Sequence, residues 1–114
     1  MGMQQIVALK HLIRFLEGNE DLPSAEIRMT PDGPGAWRVA FVLPQDEIEP
    51  AVRNASLWAV TLGEPLEYGD PVVQGDRAVQ GFTARRCVAT GLTFELSASA
   101  RFPFFGSVRV LAAA

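Results

Sequence analysis

Cysteine occurs once in the 114 residues, as Cys87, and histidine once, as His11. One cysteine forms no intramolecular disulfide and no Cys-based metal cluster, so a reducing, cytoplasmic compartment is expected. One histidine leaves no pair for a zinc site, and no His-Glu-x-x-His run occurs. Long apolar runs are lacking too: nothing approaches the roughly 18 consecutive apolar residues that read as a membrane-spanning helix. The apolar start carries Lys10, His11 and Arg14 where a secretion signal keeps an uncharged stretch, and Ile6 stands where an N-myristoylation pattern needs Ser or Thr. Neither export nor lipidation is expected. The glycines do not cradle phosphate: Pro31-Asp32-Gly33-Pro34-Gly35 lacks the lysine and following helix of a P-loop, and no Gly-x-Gly-x-x-Gly or Gly-x-Ser-x-Gly run exists. No cofactor is expected, and no enzymatic activity.

Apolar residues, by contrast, make up 48% of the chain, enough to fill the interior of one domain spanning residues 1–114. The net charge of −3 is unevenly spread. Residues 1–75 hold five Lys/Arg against eleven Asp/Glu, whereas residues 76–114 hold five Arg against Asp76 and Glu95. Neither part has a run of like charges, so the simplest reading is two differently solvated faces of one fold.

Ile6, Leu9, Leu12, Ile13, Phe15 and Leu16 recur at helical spacing and predict a helix over 4–17 with these residues as its apolar face, stopped by a left-handed Gly18. The period then changes to two. Ala25, Ile27 and Met29 alternate with Glu26, Arg28 and Thr30, the turn formers of residues 31–35 follow, and Ala36 to Leu43 returns as a strand buried on both faces, hence central. From Ile48 to Leu62 seven apolar residues fit one helical face. Pro50 is tolerated only in a first turn, so the helix should start near Glu49 after an irregular lead-in over 45–48, and Gly63 should stop it. Val60 and Thr61 favour a competing strand over Leu57 to Leu62.

Beyond Gly63 the chain reads as strands: a bent or edge strand over Leu66 to Val73, a longer one over Arg77 to Thr90, a strictly alternating one over Leu92 to Phe102, and a short one over Ser107 to Leu111. A two-residue loop at Thr90-Gly91 would pair Ala89 with Leu92. It would set Arg86 opposite Glu95 on the outward face and Cys87 opposite Phe94 in the core. It also leaves Arg85 opposite Leu96 on the core side, which calls for a sheet edge or a bulge there. The expected fold is therefore α+β, with an antiparallel sheet of five or six strands, both helices on one face, and the order α-β-β-α-β-β-β.

The run ALKHLIRFLEGNEDLP, a short hairpin, and then AVRNASLWAVTLGEPLEY leading into strands resembles a group of small α+β proteins of actinomycetes and their phages. Their first helix also ends in a leucine-proline pair, and their second carries a similarly placed tryptophan. The resemblance covers about half the chain and implies a fold and an origin in phage or prophage; it implies no activity.

Among residues that could carry chemistry, Asp46, Glu47 and Glu49 are accounted for by the dipole of the helix they precede. Arg77, Arg85, Arg86 and Arg101 are interleaved with Phe82, Phe94 and Phe102, a pattern that suits single-stranded nucleic acid. The acidic chain and the alternation, which sends Phe94 and Arg101 to opposite faces, make that the secondary reading. Phe102, Phe104 and Phe105 lie within four residues beside an apolar tail and exceed what one strand face obviously buries. They point to an interface, and the expected function is a small protein-interaction module that pairs with itself as a dimer or with another protein.

Overall fold

Helix α1 covers Gln5–Glu17 in the computed structural model, which describes residues 2–103. Strands β1 (Glu26–Pro31) and β2 (Trp37–Val42) form the expected hairpin, with Pro31 facing Trp37. A two-residue strand β3 (Asp46–Glu47) runs straight into helix α2 (Ile48–Leu62), followed by β4 (Glu67–Tyr68), β5 (Val72–Gln74), β6 (Arg77–Ala89) and β7 (Leu92–Pro103). The expected short strand over Ser107 to Leu111 lies outside the described residues.

The sheet has seven strands in the order β1-β2-β7-β6-β4, with β3 also on β7 and β5 also on β6. It is mixed, which corrects the expectation of an antiparallel sheet of five or six strands. β2 and β3 both run parallel to β7, and the remaining pairs are antiparallel. The order of elements changes accordingly: β3 precedes α2, and the single strand expected over 66–73 is two short ones, broken at Gly69-Asp70-Pro71 and both paired with β6. The irregular lead-in thus holds two ladder residues before the helix turns, and Pro50 sits in the first turn where its missing N–H costs nothing. Leu57 to Leu62 is helix, which removes the competing strand reading.

Both helices pack on one face. Phe15 of α1 and Trp58 of α2 both meet Phe41 of β2, with ring centroids 5.5 and 4.7 Å away, and Phe15 also packs edge-on against Phe94 of β7. Phe41, Phe94 and Leu96 are fully buried beneath them. At about 25 cal/mol per Å² of apolar surface, this face supplies the main folding energy. On α1 the buried stripe is Ala8 and Leu12 with half-buried Phe15 and Leu16, whereas Ile6 and Ile13 are exposed. The stripe is rotated from the expected one because small Ala8, not Ile6, is what fits flush against the sheet.

The helix ends also differ. Gly63 is left-handed at φ 76°, and the N–H groups of Gly63 and Glu64 both reach the Ala59 carbonyl, closing α2 as glycine stops do. Gly18 instead keeps right-handed values, φ −80° and ψ −7°. Asn19 takes over the stop: its side-chain amide donates to the Phe15 carbonyl at 2.8 Å and its backbone N–H to Leu16.

One extra residue in β6 resets the expected register. Ala89 does pair with Leu92, but a bulge between Cys87 and Ala89 then sets Cys87 against Thr93, Arg86 against Phe94 and Arg85 against Glu95. Cys87 is exposed, and Arg85 makes the cross-strand ion pair with Glu95, at 3.1 Å, that was expected of Arg86. The cause is the awkward arginine itself: strict alternation would drive Arg85 into the core opposite Leu96, and the bulge puts small, buried Ala84 there instead.

Candidate interaction surfaces

Two consecutive arginines on a strand must point to opposite faces. Arg85 points away from the helices, and Arg86 points toward them, where its Nη1 donates to the Leu62 carbonyl at 2.8 Å. Arg101 lies on the outer face beside Glu47 of β3, at 3.4 Å, and Arg77 faces Pro103 at the far end of the hairpin. Phe82 and Phe94, the rings interleaved with these arginines in sequence, are buried under the helices. Arg77, Arg85 and Arg101 therefore lie on the face opposite the rings, Arg86 on the rings' own face is taken up by the Leu62 carbonyl, and two of the four guanidiniums already face carboxylates. A stacking platform needs both on one face.

The acidic residues before α2 are spread rather than gathered. Asp46 Oδ1 accepts from the Glu47 backbone N–H at 2.8 Å, Glu47 pairs with Arg101, and Glu49 sits in the first turn of the helix. Among the described residues no three His, Cys, Asp or Glu side chains come together as a metal site. His11 is half-buried on α1. No helix among them is long and apolar enough to cross a membrane.

An apolar cleft of about 300 Å³ opens between Leu16 at the end of α1, Leu22 and Ala25 in the following loop, Ile27 of β1 and the edge of Trp58. It has an apolar floor, and its rim of Asn19 and Glu20 is exposed or half-buried.

At the opposite edge of the sheet two rows of apolar residues run outward on the helix-bearing face. Val73 faces Ala78, which faces Phe102, and Tyr68 faces Phe82, packed edge-on with ring centroids 5.2 Å apart. Ala78 and Phe82 are buried, but Val73 is 51% and Tyr68 58% exposed, and Phe102 is half-buried. Of the three phenylalanines expected at an interface, Phe102 thus ends an apolar row, while Phe104 and Phe105 lie outside the described residues. Sequence reasoning passed over Tyr68 and Val73. The available signal was the pair of breaks around residues 69–71 and 75–76, which mark short edge strands whose apolar side chains have only one neighbour to cover them.

No protein-family model matches the chain, and no curated protein matches it in sequence.

Proposed function

We propose that the chain is a small protein-interaction module, of phage or prophage origin, whose partner-facing surface is the apolar edge formed by Tyr68, Val73 and Phe102. The observation that carries this reading is the row Val73–Ala78–Phe102, whose outermost member is half exposed at the rim of a sheet. Apolar rims of this kind are enriched at interfaces, where burying them releases the water they order. Phe104 and Phe105 follow directly in sequence and extend the same apolar character. The partner is a second copy of the chain or another protein with a matching apolar patch.

Static light scattering at micromolar concentration tests the self-pairing form. A mass above that of the monomer, little changed by salt and reduced by Val73→Asp combined with Phe104→Ser and Phe105→Ser, is expected, because area burial rather than charge drives the contact. A monomer mass at both low and high salt removes self-pairing through this surface.

A further inference from the structure

Strand β1 lies at the end of the sheet, and among the described residues it pairs only with β2. Its outer backbone N–H and C=O groups form a row that another strand can complete. The residues along that row are arranged symmetrically about Ile27. Glu26 and Arg28 stand one step away on either side, Ala25 and Met29 two steps, Ser24 and Thr30 three, and Pro23 and Pro31 four.

Symmetry of this kind matters because an antiparallel pair of identical strands sets each residue against its mirror image. Centred on Ile27, two copies of β1 would place Glu26 opposite Arg28 at two positions, Ala25 opposite Met29 at two, and Ile27 opposite itself. Both charged pairs are then of opposite sign and Ser24 faces Thr30, combinations that stabilise cross-strand neighbours, while Ala25 leaves room for the larger Met29. Centring one residue later would set Arg28 against Arg28, and one residue earlier Glu26 against Glu26. The prolines close the seam at both ends, since neither has an N–H to donate.

The faces agree as well. Ile27 and Met29 lie opposite Phe41 and Val39 and so share the helix-bearing face, while Glu26 and Arg28 share the other. In the single chain Arg28 already forms a two-pronged bond to Glu26, 3.1 Å on each prong, with both side chains about 60% exposed. Both groups therefore sit where a partner strand's charges would meet them. Ile27, 40% exposed beside the cleft of Leu16 and Leu22, would meet its own copy there.

We infer that β1 is a self-complementary edge through which two copies of this chain pair antiparallel about Ile27, joining their sheets into one. This seam shares no residue with the apolar edge at Val73 and Phe102. It lies at the other end of the sheet, so a dimer built on it would present two such edges, one on each subunit.

Charge exchange tests the seam without touching the core. In a Val73→Asp, Phe104→Ser, Phe105→Ser chain, which isolates the seam from the apolar edge, Arg28→Glu alone and Glu26→Arg alone each set like charges opposite one another at two places, so each variant should sediment as a monomer where the same chain with Glu26 and Arg28 intact sediments as a dimer. Mixed in equal amounts, the two variants should form a heterodimer, because carboxylates again face guanidiniums. Register is tested in a Cys87→Ser chain. Ile27→Cys places a thiol against its own copy at roughly 4.5–5.5 Å between Cα atoms, within disulfide reach, and should cross-link on mild oxidation. Thr30→Cys, displaced from its copy by about 20 Å along the seam, should not. A chain with Glu26 and Arg28 intact that stays monomeric at high micromolar concentration, single-charge variants that dimerise like it, or cross-linking at residue 30 in place of 27 would each overturn the seam. A parent dimer lost on Val73→Asp with Phe104→Ser and Phe105→Ser would overturn it too, while leaving the apolar edge as the self-pairing surface.

Discussion

The Arg86 guanidinium donates to the Leu62 carbonyl at 2.8 Å, tying the middle of β6 to the last turn of α2. This carbonyl belongs to the group at a helix C-terminus that has no partner within the helix, and the positive charge also meets the negative end of the helix dipole. Arg86→Met keeps the aliphatic stem and removes both effects. It should cost about 1 kcal/mol, read from urea unfolding, since a charged hydrogen bond is weakened by partial exposure. A Cβ at Gly63 would lie 2.7 Å from Arg86 Nη1, so Gly63→Ala should lose part of the same bond, and the two substitutions should be less than additive.

Trp58 is 2% exposed, stacked near Phe41, and its indole Nε1 donates to the Pro23 carbonyl at 3.0 Å. The ring therefore joins α2 to the loop that leads into β1. Trp58→Ala should cost roughly 3–5 kcal/mol, a large part of the roughly 5–15 kcal/mol available to a small domain. Trp58→Phe keeps most of the ring contact and leaves the Pro23 carbonyl unpartnered, so a smaller loss of about 1–2 kcal/mol is expected. Equal melting temperatures for the parent and Trp58→Ala would contradict this packing.

Trp58 and the strand of Leu92 to Phe102 were legible because burial on one face repeats in sequence with a period that local geometry sets. The two helices, the first hairpin and the central place of β2 follow from that repetition alone. The partner chosen by each strand does not. β2 runs parallel to β7 across some fifty residues of intervening chain, and nothing local to Val39 or Phe41 specifies that neighbour. The bulge near Val88 was half legible: Arg85 announced that strict alternation could not hold, but not at which residue the ladder would slip. The mirror arrangement about Ile27 was present in the sequence throughout, and it acquires meaning only once β1 is known to be an edge.

The bulge carries Cys87 to the outer face, where its Sγ donates to the Ala89 carbonyl at 3.1 Å and the residue is exposed. A thiol-reactive chromophore should therefore label the native protein to one equivalent without denaturant. Cys87→Ser should change stability by less than about 0.5 kcal/mol, as exposed substitutions do. Labelling that waits for unfolding would restore the unbulged register with Cys87 against Phe94.

The bond from Arg28, and after it the attraction of that charge, hold the Glu26 carboxyl below the ordinary glutamate value. A carboxyl depressed in the folded chain favours folding above its unfolded value, and that contribution is lost as pH falls through the folded one. Carbon-detected titration should show Glu26 titrating below the ordinary glutamate value, and Arg28→Ala should return it toward that value. Added salt should narrow the gap, because both side chains of the pair are largely exposed. A Glu26 that titrates at the ordinary glutamate value in the parent chain would mean that the two-pronged bond is not kept in solution.

Gly91 closes the β6–β7 hairpin with φ 81°, and Thr90 beside it avoids the left-handed region. It also sits in a crowded junction. Its carbonyl accepts the Trp37 backbone N–H at 2.8 Å, while the nearby Gly35 carbonyl accepts from Met3 N–H at 2.8 Å. A Cβ at residue 91 would lie 2.7 Å from that Gly35 oxygen and 3.3 Å from Met3 Cβ. Gly91→Ala thus meets two penalties: the left-handed conformation, about 1–2 kcal/mol for any L side chain, and displacement of backbone that is itself hydrogen-bonded. Gly75 separates them. It is left-handed at φ 68° in the β5–β6 loop, and nothing lies within 4 Å of the position a Cβ would take. Gly75→Ala should therefore show the conformational cost alone, and Gly91→Ala should exceed it by about 1 kcal/mol or more, as buried steric conflicts do. Matching losses in urea unfolding would show that the N-terminal segment and the residue 33–35 turn yield without cost, and that the junction does not hold this end of the sheet together.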